Sequence, residues 1–472
     1  MQIPVINGIY TNESPDFRTS YPVNLVPVPK ENGISQGYLR PARGIVKTAD
    51  VSGIDRGGIN WNDVCYRVVG HNLVRVNIDN SVTIIGSIPG TDTVTMDYSF
   101  DLLSIAANGS LYFYDGSTIT QNTDSDLGIV IDQLWTDGYF MTTDGENLVV
   151  TELNNPYSVN PLKYGSSEAD PDEVVALLKL RREVHALNRY TIESFENVGG
   201  DLFPYSRIEG AQIQRGCVGT HACDVFMQQL AFVGGGRNEP CAIWIGINGQ
   251  SSKISTREID QILRLYSESE LSLVVVEALT DNGHMNLYVH LSDRCLVYDG
   301  AASAVMQEPI WYVLSSGNST VAGRYSPQRY QAKNHVFCYN KWLVGNPVYP
   351  ILGVIDDTIS SHYGDVVGWE FGTTIIYNQG MGAIIHEMEL VCLSGRVEVG
   401  TSPTVWTSYS LDGEVWSNEK PRSAGGFGQR NKRISWLQQG SMRHWRAQKF
   451  RGDSDCNIAI ARLEARVEPL YV

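Results

Sequence analysis

Apolar and β-branched residues along this chain run in short alternating stretches, paired across turns rich in Gly, Asn or Asp, which is the pattern of β-hairpins. The unit recurs as YRVVGHNLVRV (residues 66–76), LSIAANGSLYFYD (103–115), YFMTTDGENLVVTE (139–152), VHALNRYTIESFE (184–196), LAFVGGGRNEPCAIWIG (230–246), NLYVHLSDRCLVYD (286–299) and, more weakly, HVFCYNKWLVGN (335–346). Successive starts lie 36 to 56 residues apart, the interval of a four-stranded propeller blade with the hairpin as its inner or middle pair. The spacing predicts a β-propeller of six or seven blades over residues 51–378; a large sandwich with similar hairpins is the alternative. Asn108-Gly109 and Asp144-Gly145 are read as type I′ turns, whose two central residues take positive φ.

Two segments depart from this pattern. Residues 255–272 place Ile259, Ile262, Leu263 and Tyr266 at helical spacing after a Ser/Thr start and predict a decorating helix. Residues 170–184 lead with acids and end with bases, as a helix dipole favours, yet equally fit a loop and a strand. From residue 379 to 472 the strands lengthen, which predicts a separate C-terminal β-sandwich, so the expected class is all-β with a few short helices. The first 50 residues read as an extended segment: Pro22, Pro27 and Pro29 keep it out of central sheet positions, while Tyr21, Val23, Leu25 and Val26 offer apolar contacts. It would complete the last blade or reach a neighbouring subunit, and closure is favoured because it removes exposed sheet edges.

Composition narrows the function classes. With 36 basic and 52 acidic residues the net charge is −16, which argues against wholesale wrapping of DNA. A basic apolar leader and any run of 18 apolar residues are both missing, so neither a signal peptide nor a membrane span is expected. The eight cysteines are scattered through apolar stretches and read as reduced core residues.

Candidate chemistry is sparse. Cys217, His221 and Cys223 in CVGTHAC have soft ligands at short spacing, but a structural zinc site needs a fourth ligand and a tighter knuckle, so they read as buried strand residues. His185 and His290 alternate with apolar neighbours and read as packed, hydrogen-bonded histidines. Gly234-Gly235-Gly236 lacks the following Lys-Ser/Thr and helix of a phosphate loop. SYSLDGEVWS (408–417) resembles a sialidase Asp-box turn but does not recur per blade, and Asp356-Asp357 reads as a turn former. The Arg451-Gly452-Asp453 triplet is assigned no adhesive role. The expectation is no enzyme, no cofactor and no metal, with a propeller carbohydrate-active enzyme or a glycan- or receptor-binding propeller as the alternative.

Charge patterning supplies one positive candidate. Residues 420–451 hold nine basic residues and no acid: Lys420, Arg422, Arg430, Lys432, Arg433, Arg443, Arg446, Lys449 and Arg451, interleaved with Phe427, Trp436, Trp445 and Phe450. The rest of the chain then carries −16 − 9 = −25, so the molecule is strongly dipolar. Subunit or partner contact through Arg430, Lys432, Arg433, Arg443, Arg446, Lys449 and Arg451 is the favoured reading over DNA contact or a merely solvated face.

The opening FRTSYPVNLVPVPKENGISQGYLRPARGI (residues 17–45) carries a resemblance. Through Phe17, Arg18, Pro22, Val23, Asn24, Leu25, Pro29, Lys30, Gly37, Tyr38, Leu39, Arg40, Gly44 and Ile45 it is similar to the packaged-DNA stabilisation proteins, or tail hub proteins, of short-tailed lambdoid phages of enteric bacteria. Looser similarity runs on through Tyr66-Arg67-Val68, Thr191-Ile192-Glu193, Arg264, Tyr266, Leu296-Val297-Tyr298-Asp299 and Asp412-Gly413. The resemblance implies a structural subunit of the virion tail, forming a homo-oligomeric, hexameric ring below the portal adaptor. It further implies retention of packaged double-stranded DNA, part of the ejection channel, and attachment of the tail needle and tailspikes.

Overall fold

The computed structural model describes residues 2–3, 21–30, 37–167, 170–200, 202–317, 320–321, 324–325, 327–373, 376–378, 381–395, 397, 403–413, 415–456 and 458–470. Phe17 and Arg18 of the resemblance lie outside them.

Among the described residues, seven antiparallel sheets succeed one another around a ring, a β-propeller. Their inner strands are Asp55–Trp61, Thr95–Tyr98, Asp132–Thr136, Val174–Leu180, Cys223–Phe226, Val275–Asp281 and Lys333–Cys338, for blades 1 to 7. In the first six blades the chain steps outward strand by strand. In the fifth, Gly216–Cys217 is a second short piece against Gln229–Gly235.

Blade 7 is assembled differently. Its chain runs Lys333–Cys338, Lys341–Gly345 and Ile351–Asp356, and its outer strand is Gly44–Asp50, paired antiparallel so that Ile45 faces Ile355. Closure therefore comes from the tail of the N-terminal segment, whose proline-rich part goes elsewhere. Leu25–Pro29 and Gly37–Pro41 pair with each other, and Leu39 meets Ile460 in a sheet of the second domain.

Alternating apolar positions let each blade pack on both neighbours. Trp61, Tyr66 and Val68 of blade 1 meet Ile105 and Tyr112 of blade 2, and Phe113 of blade 2 meets Phe140 of blade 3. Around the ring, Met141 meets Val184, Val289 meets Phe232, Tyr288 meets Val344, and Val336 meets Val74. No blade lacks a buried partner face, so each interface stabilises the ring by the area it removes from water.

The second domain is a sandwich. One sheet joins the N-terminal strands to Ala459–Pro469, Ala383–Leu393 and Ile434–Leu437; the other joins Gly368–Gly372, Trp445–Asp453, Thr404–Ser410 and Lys420–Ser423. Gly368–Gly372 lies before the boundary expected at 378/379. Trp436, Phe371, Phe450, Leu25 and Leu39 fill the space between the sheets.

The helical expectation at 255–272 becomes two short helices, Arg257–Leu263 and Glu268–Leu271, capped by Thr256 and Ser267. Residues 170–184 instead enter blade 4 as the strand Val174–Leu180, and a helix not anticipated, Gly300–Met306, follows Asp299 as its N-cap. Asn108 and Gly109 both take positive φ, as a type I′ turn requires. At the other turn only Gly145 does. There Asp144 accepts from the backbone N–H groups of Glu146 and Asn147, a side-chain-closed turn.

Candidate functional site

Three regions gather polar chemistry. The first is the seam between the two domains, where the Pro-Val-Asn-Leu run sits. Pro22 accepts from Val313 N–H, and Val23 and Asn24 bond Glu370 and Val313 through the backbone, joining the outer strand of blade 6 to the sandwich. Asn24, at φ 54°, donates to the carbonyls of Ser315 (2.8 Å) and Gly368 (2.6 Å) and accepts from Ser315 N–H at 2.9 Å. Asn tolerates the left-handed backbone that the bend needs, and its amide satisfies groups from both domains. Leu25 and Leu39 drop into the sandwich core, Lys30 lies over the Tyr38 ring, and Arg43 forms an ion pair with Asp281 of blade 6. Gly37 and Arg40 stand on the same strand as Leu39.

The second region is the basic stretch, which the fold divides. Arg422, Arg430, Lys432 and Arg443 are exposed and, among the described residues, carry no carboxylate partner. Arg433 is exposed too but is held by Glu389 and Glu387. Arg446 and Lys449 are not surface cations, which corrects their assignment as contacts: they are buried on their strand, while Arg451 on the same strand is partly exposed and paired. Fully buried Arg446 stacks on Tyr409, 3.8 Å to the ring centroid, and donates to Gln448 and Gln439; burial pulls its pKa down to about 10. Lys449 sits over Trp416, 3.5 Å from the buried Glu370 carboxylate, and Arg451 makes a two-pronged pair with Glu419 over Trp406. Trp436 and Phe450 are core residues. The stacking partners a nucleic-acid strand would need are thus withdrawn, leaving Phe427 as the strongly exposed ring of the four.

The third region is the propeller axis, which sequence reasoning missed. Carboxylates on inner strands accept backbone N–H groups of the next blade: Asp97 from Trp135 (2.7 Å), Asp132 from Leu177 (2.7 Å), Asp224 from Ala278 (2.7 Å) and Glu277 from Asn334 (2.5 Å). At ring closure Asn334 donates to Asp55, which also holds the buried Arg67 guanidinium at 2.7 and 2.9 Å. Burial pushes Asp132 and Asp224 up to about 7. Their spacing along the chain follows blade length, not a fixed motif, so no sequence signal marks them.

Glu277, His290 and His335 are brought together with ligand atoms within 4.8 Å, a set that could hold a metal ion. Oε2 of Glu277 already meets His290 at 3.2 Å and His335 at 2.5 Å, and these imidazoles hold the carboxyl well below its ordinary range against the opposing effect of burial. Cys217 and Cys223 bury against each other, and burial pulls His221 down to about 4. His185 bonds Ser194 in a strand, as expected. The Asp-box-like turn lies in the sandwich, closed by Ser410 and Asp412, and Asp356 caps Thr358.

Comparison with known proteins gives two matches along the chain. Residues 1–360 match the family model described as bacteriophage P22 Gp10, beta-propeller, and residues 368–468 match P22 Gp10, beta-sandwich. The tail hub protein gp10 of Salmonella phage P22 is 25% identical over 489 aligned residues, covering 99% of each chain. Among solved structures, the designed Ika8 protein is 11% identical with a TM-score of 0.39, covering 75% of this chain and 100% of its own. The Neurospora crassa Pan2 WD40 domain is 10% identical with a TM-score of 0.41, covering 65% and 90%.

Proposed function

Since the chain belongs to the bacteriophage P22 Gp10 family through both its propeller and its sandwich, we propose that it is a structural subunit of a phage tail hub. The observation that carries this reading is the match to the curated tail hub protein across 99% of both chains. In the finer form of the proposal, copies assemble into a homo-oligomeric, hexameric ring beneath the portal adaptor. The ring retains packaged double-stranded DNA, contributes to the ejection channel, and offers attachment points for the tail needle and tailspikes. The chain acts in the virion tail by assembly and without catalysis.

Physical features support that role. Exposed Arg422, Arg430, Lys432 and Arg443 stand on a domain attached to a strongly acidic remainder, which favours docking against an acidic neighbour. The channel carboxylates are engaged with backbone donors, so they serve the ring's own cohesion. Nothing at the Asp-box-like turn favours a glycosidase, because that turn sits in the sandwich and its aspartate closes its own loop.

The test is electron microscopy of the purified chain mixed with its portal adaptor ring. A closed ring of copies seated on the adaptor is expected; a chain that stays monomeric and leaves the adaptor unbound overturns the proposal.

A further inference from the structure

On one face of the propeller the channel opens into a cavity of about 590 Å³, whose wall includes Arg56, Thr93, Thr95, His221, Arg329 and Lys333. Lys333 begins the inner strand of blade 7, is 8% exposed, and reaches across the opening to the Thr93 hydroxyl at 3.2 Å, just ahead of the inner strand of blade 2. Among the described residues, neither Lys333 nor Arg329 forms an ion pair with a carboxylate. Of the nearby acids, Asp55 is engaged by Arg67 and Asn334, Glu277 by His290, His335 and Asn334, and Asp92 lies beside Arg56. Arg56 adds a third cation, whose hydrogen bonds go to the carbonyls of Gly70, Ile88, Pro89 and Asp92 and whose charge is offset by the nearby Asp92 carboxylate.

We propose that this opening binds a phosphate-class oxyanion, held by the Lys333 ammonium and the Arg329 guanidinium with the Thr93 hydroxyl as a further donor. Lys333 is buried with no direct carboxylate partner, which is costly, and an anion seated between it and the exposed Arg329 offsets that cost. Burial indeed pulls both side chains down from their ordinary values, while neighbouring acids only partly offset this at Lys333. The donors come from blade 2, blade 7 and the segment leading into blade 7. A point charge, a planar fork and a hydroxyl drawn from separate segments around one opening suit a tetrahedral oxyanion better than a flat carboxylate. The volume exceeds what free phosphate needs and falls in the range of small-ligand sites, so a phosphate carried by a mononucleotide also fits.

The experiment is calorimetric and thermal-shift titration of the whole chain with inorganic phosphate, with deoxyadenosine 5′-monophosphate, and with deoxyadenosine, at matched ionic strength. Saturable phosphate binding with a raised Tm is expected, and R329Q and K333M should each weaken it about tenfold. R182Q, in the exposed turn after the inner strand of blade 4, should leave it unchanged. R329Q removes an exposed side chain, so it keeps the test open if K333M fails to fold. Tighter binding of the nucleotide than of phosphate, with none of the nucleoside, assigns the site to a nucleotide phosphate; equal binding assigns it to free phosphate. A titration indistinguishable from chloride, or wild-type affinity in R329Q, overturns the proposal.

Discussion

Lys449 and Arg67 are both cations with almost no exposed surface, and they are neutralised with different completeness. Arg67 meets Asp55 with two parallel bonds, whereas Lys449 faces Glu370 at 3.5 Å beneath Trp416. Removing one member of such a pair strands the other in the core. Lys449→Met should therefore cost about 3 to 5 kcal/mol of sandwich stability in urea unfolding, and Glu370→Gln added to it should recover much of the loss. The axis residues titrate in the physiological range. Asp132 and Asp224 have folded pKa values raised from 3.8 to about 7, so the stability they contribute is full below 3.8, is lost progressively as pH rises to about 7, and changes no further above it. His185 and His221 are depressed to about 4 and His362 to about 3, so theirs is lost as pH drops below 6.5. The buried carboxyls and the buried histidines therefore act in opposite senses across the same acid range. Calorimetry from about pH 4 to 8 checks this, and D132N/D224N should remove the loss of Tm that these carboxyls cause between about pH 4 and 7.

At the scale of the strand, glycine marks where blade 7 closes on blade 1. A Cβ on Gly345 would lie 2.0 Å from the Asp55 carboxyl carbon, so Gly345→Ala should force that carboxylate off Arg67 and cost about 1 to 3 kcal/mol or more in chemical denaturation. Asn24→Ala removes three buried hydrogen bonds at the seam and should cost about 3 kcal/mol. Scanning calorimetry should then resolve separate propeller and sandwich transitions. The hairpins themselves were readable because period-two alternation survives in single sequence. Six of the seven are the second and third strands of their blades, but 335–346 is the first and second strand of its own. It looked weak for a physical reason: its blade completes itself with Gly44–Asp50, a partner nearly 300 residues away in sequence that local pattern does not reveal. Arg446 and Lys449 were misplaced for a related reason. Charge alone reads as surface, and only the pairing of their strand on both edges shows that aromatic rings and Glu370 cover it.

Across the whole molecule, opposite charges are segregated between the exposed sandwich turns and the remainder. Reversing Arg430, Lys432 and Arg433 to Glu should abolish ring formation on the adaptor if those turns dock, with little change in Tm because all three are exposed. If they instead hold DNA, assembly should persist while salt-dependent DNA retention falls. The adaptor-binding assay and a filter-binding salt series separate the two outcomes.

The closing strand also orders events in time. Gly44–Asp50 is synthesised early, yet its partner Ile351–Asp356 emerges some 300 residues later, and Leu39 waits longer still for Ile460. Contacts so distant along the chain are late and slow to form. On a chain interrupted before Ala459–Pro469, Gly44–Asp50 can still close blade 7, but the sandwich pairing of Leu39 has no partner. The two domains are therefore tied by a strand order in which the N-terminal segment serves the propeller before it serves the sandwich.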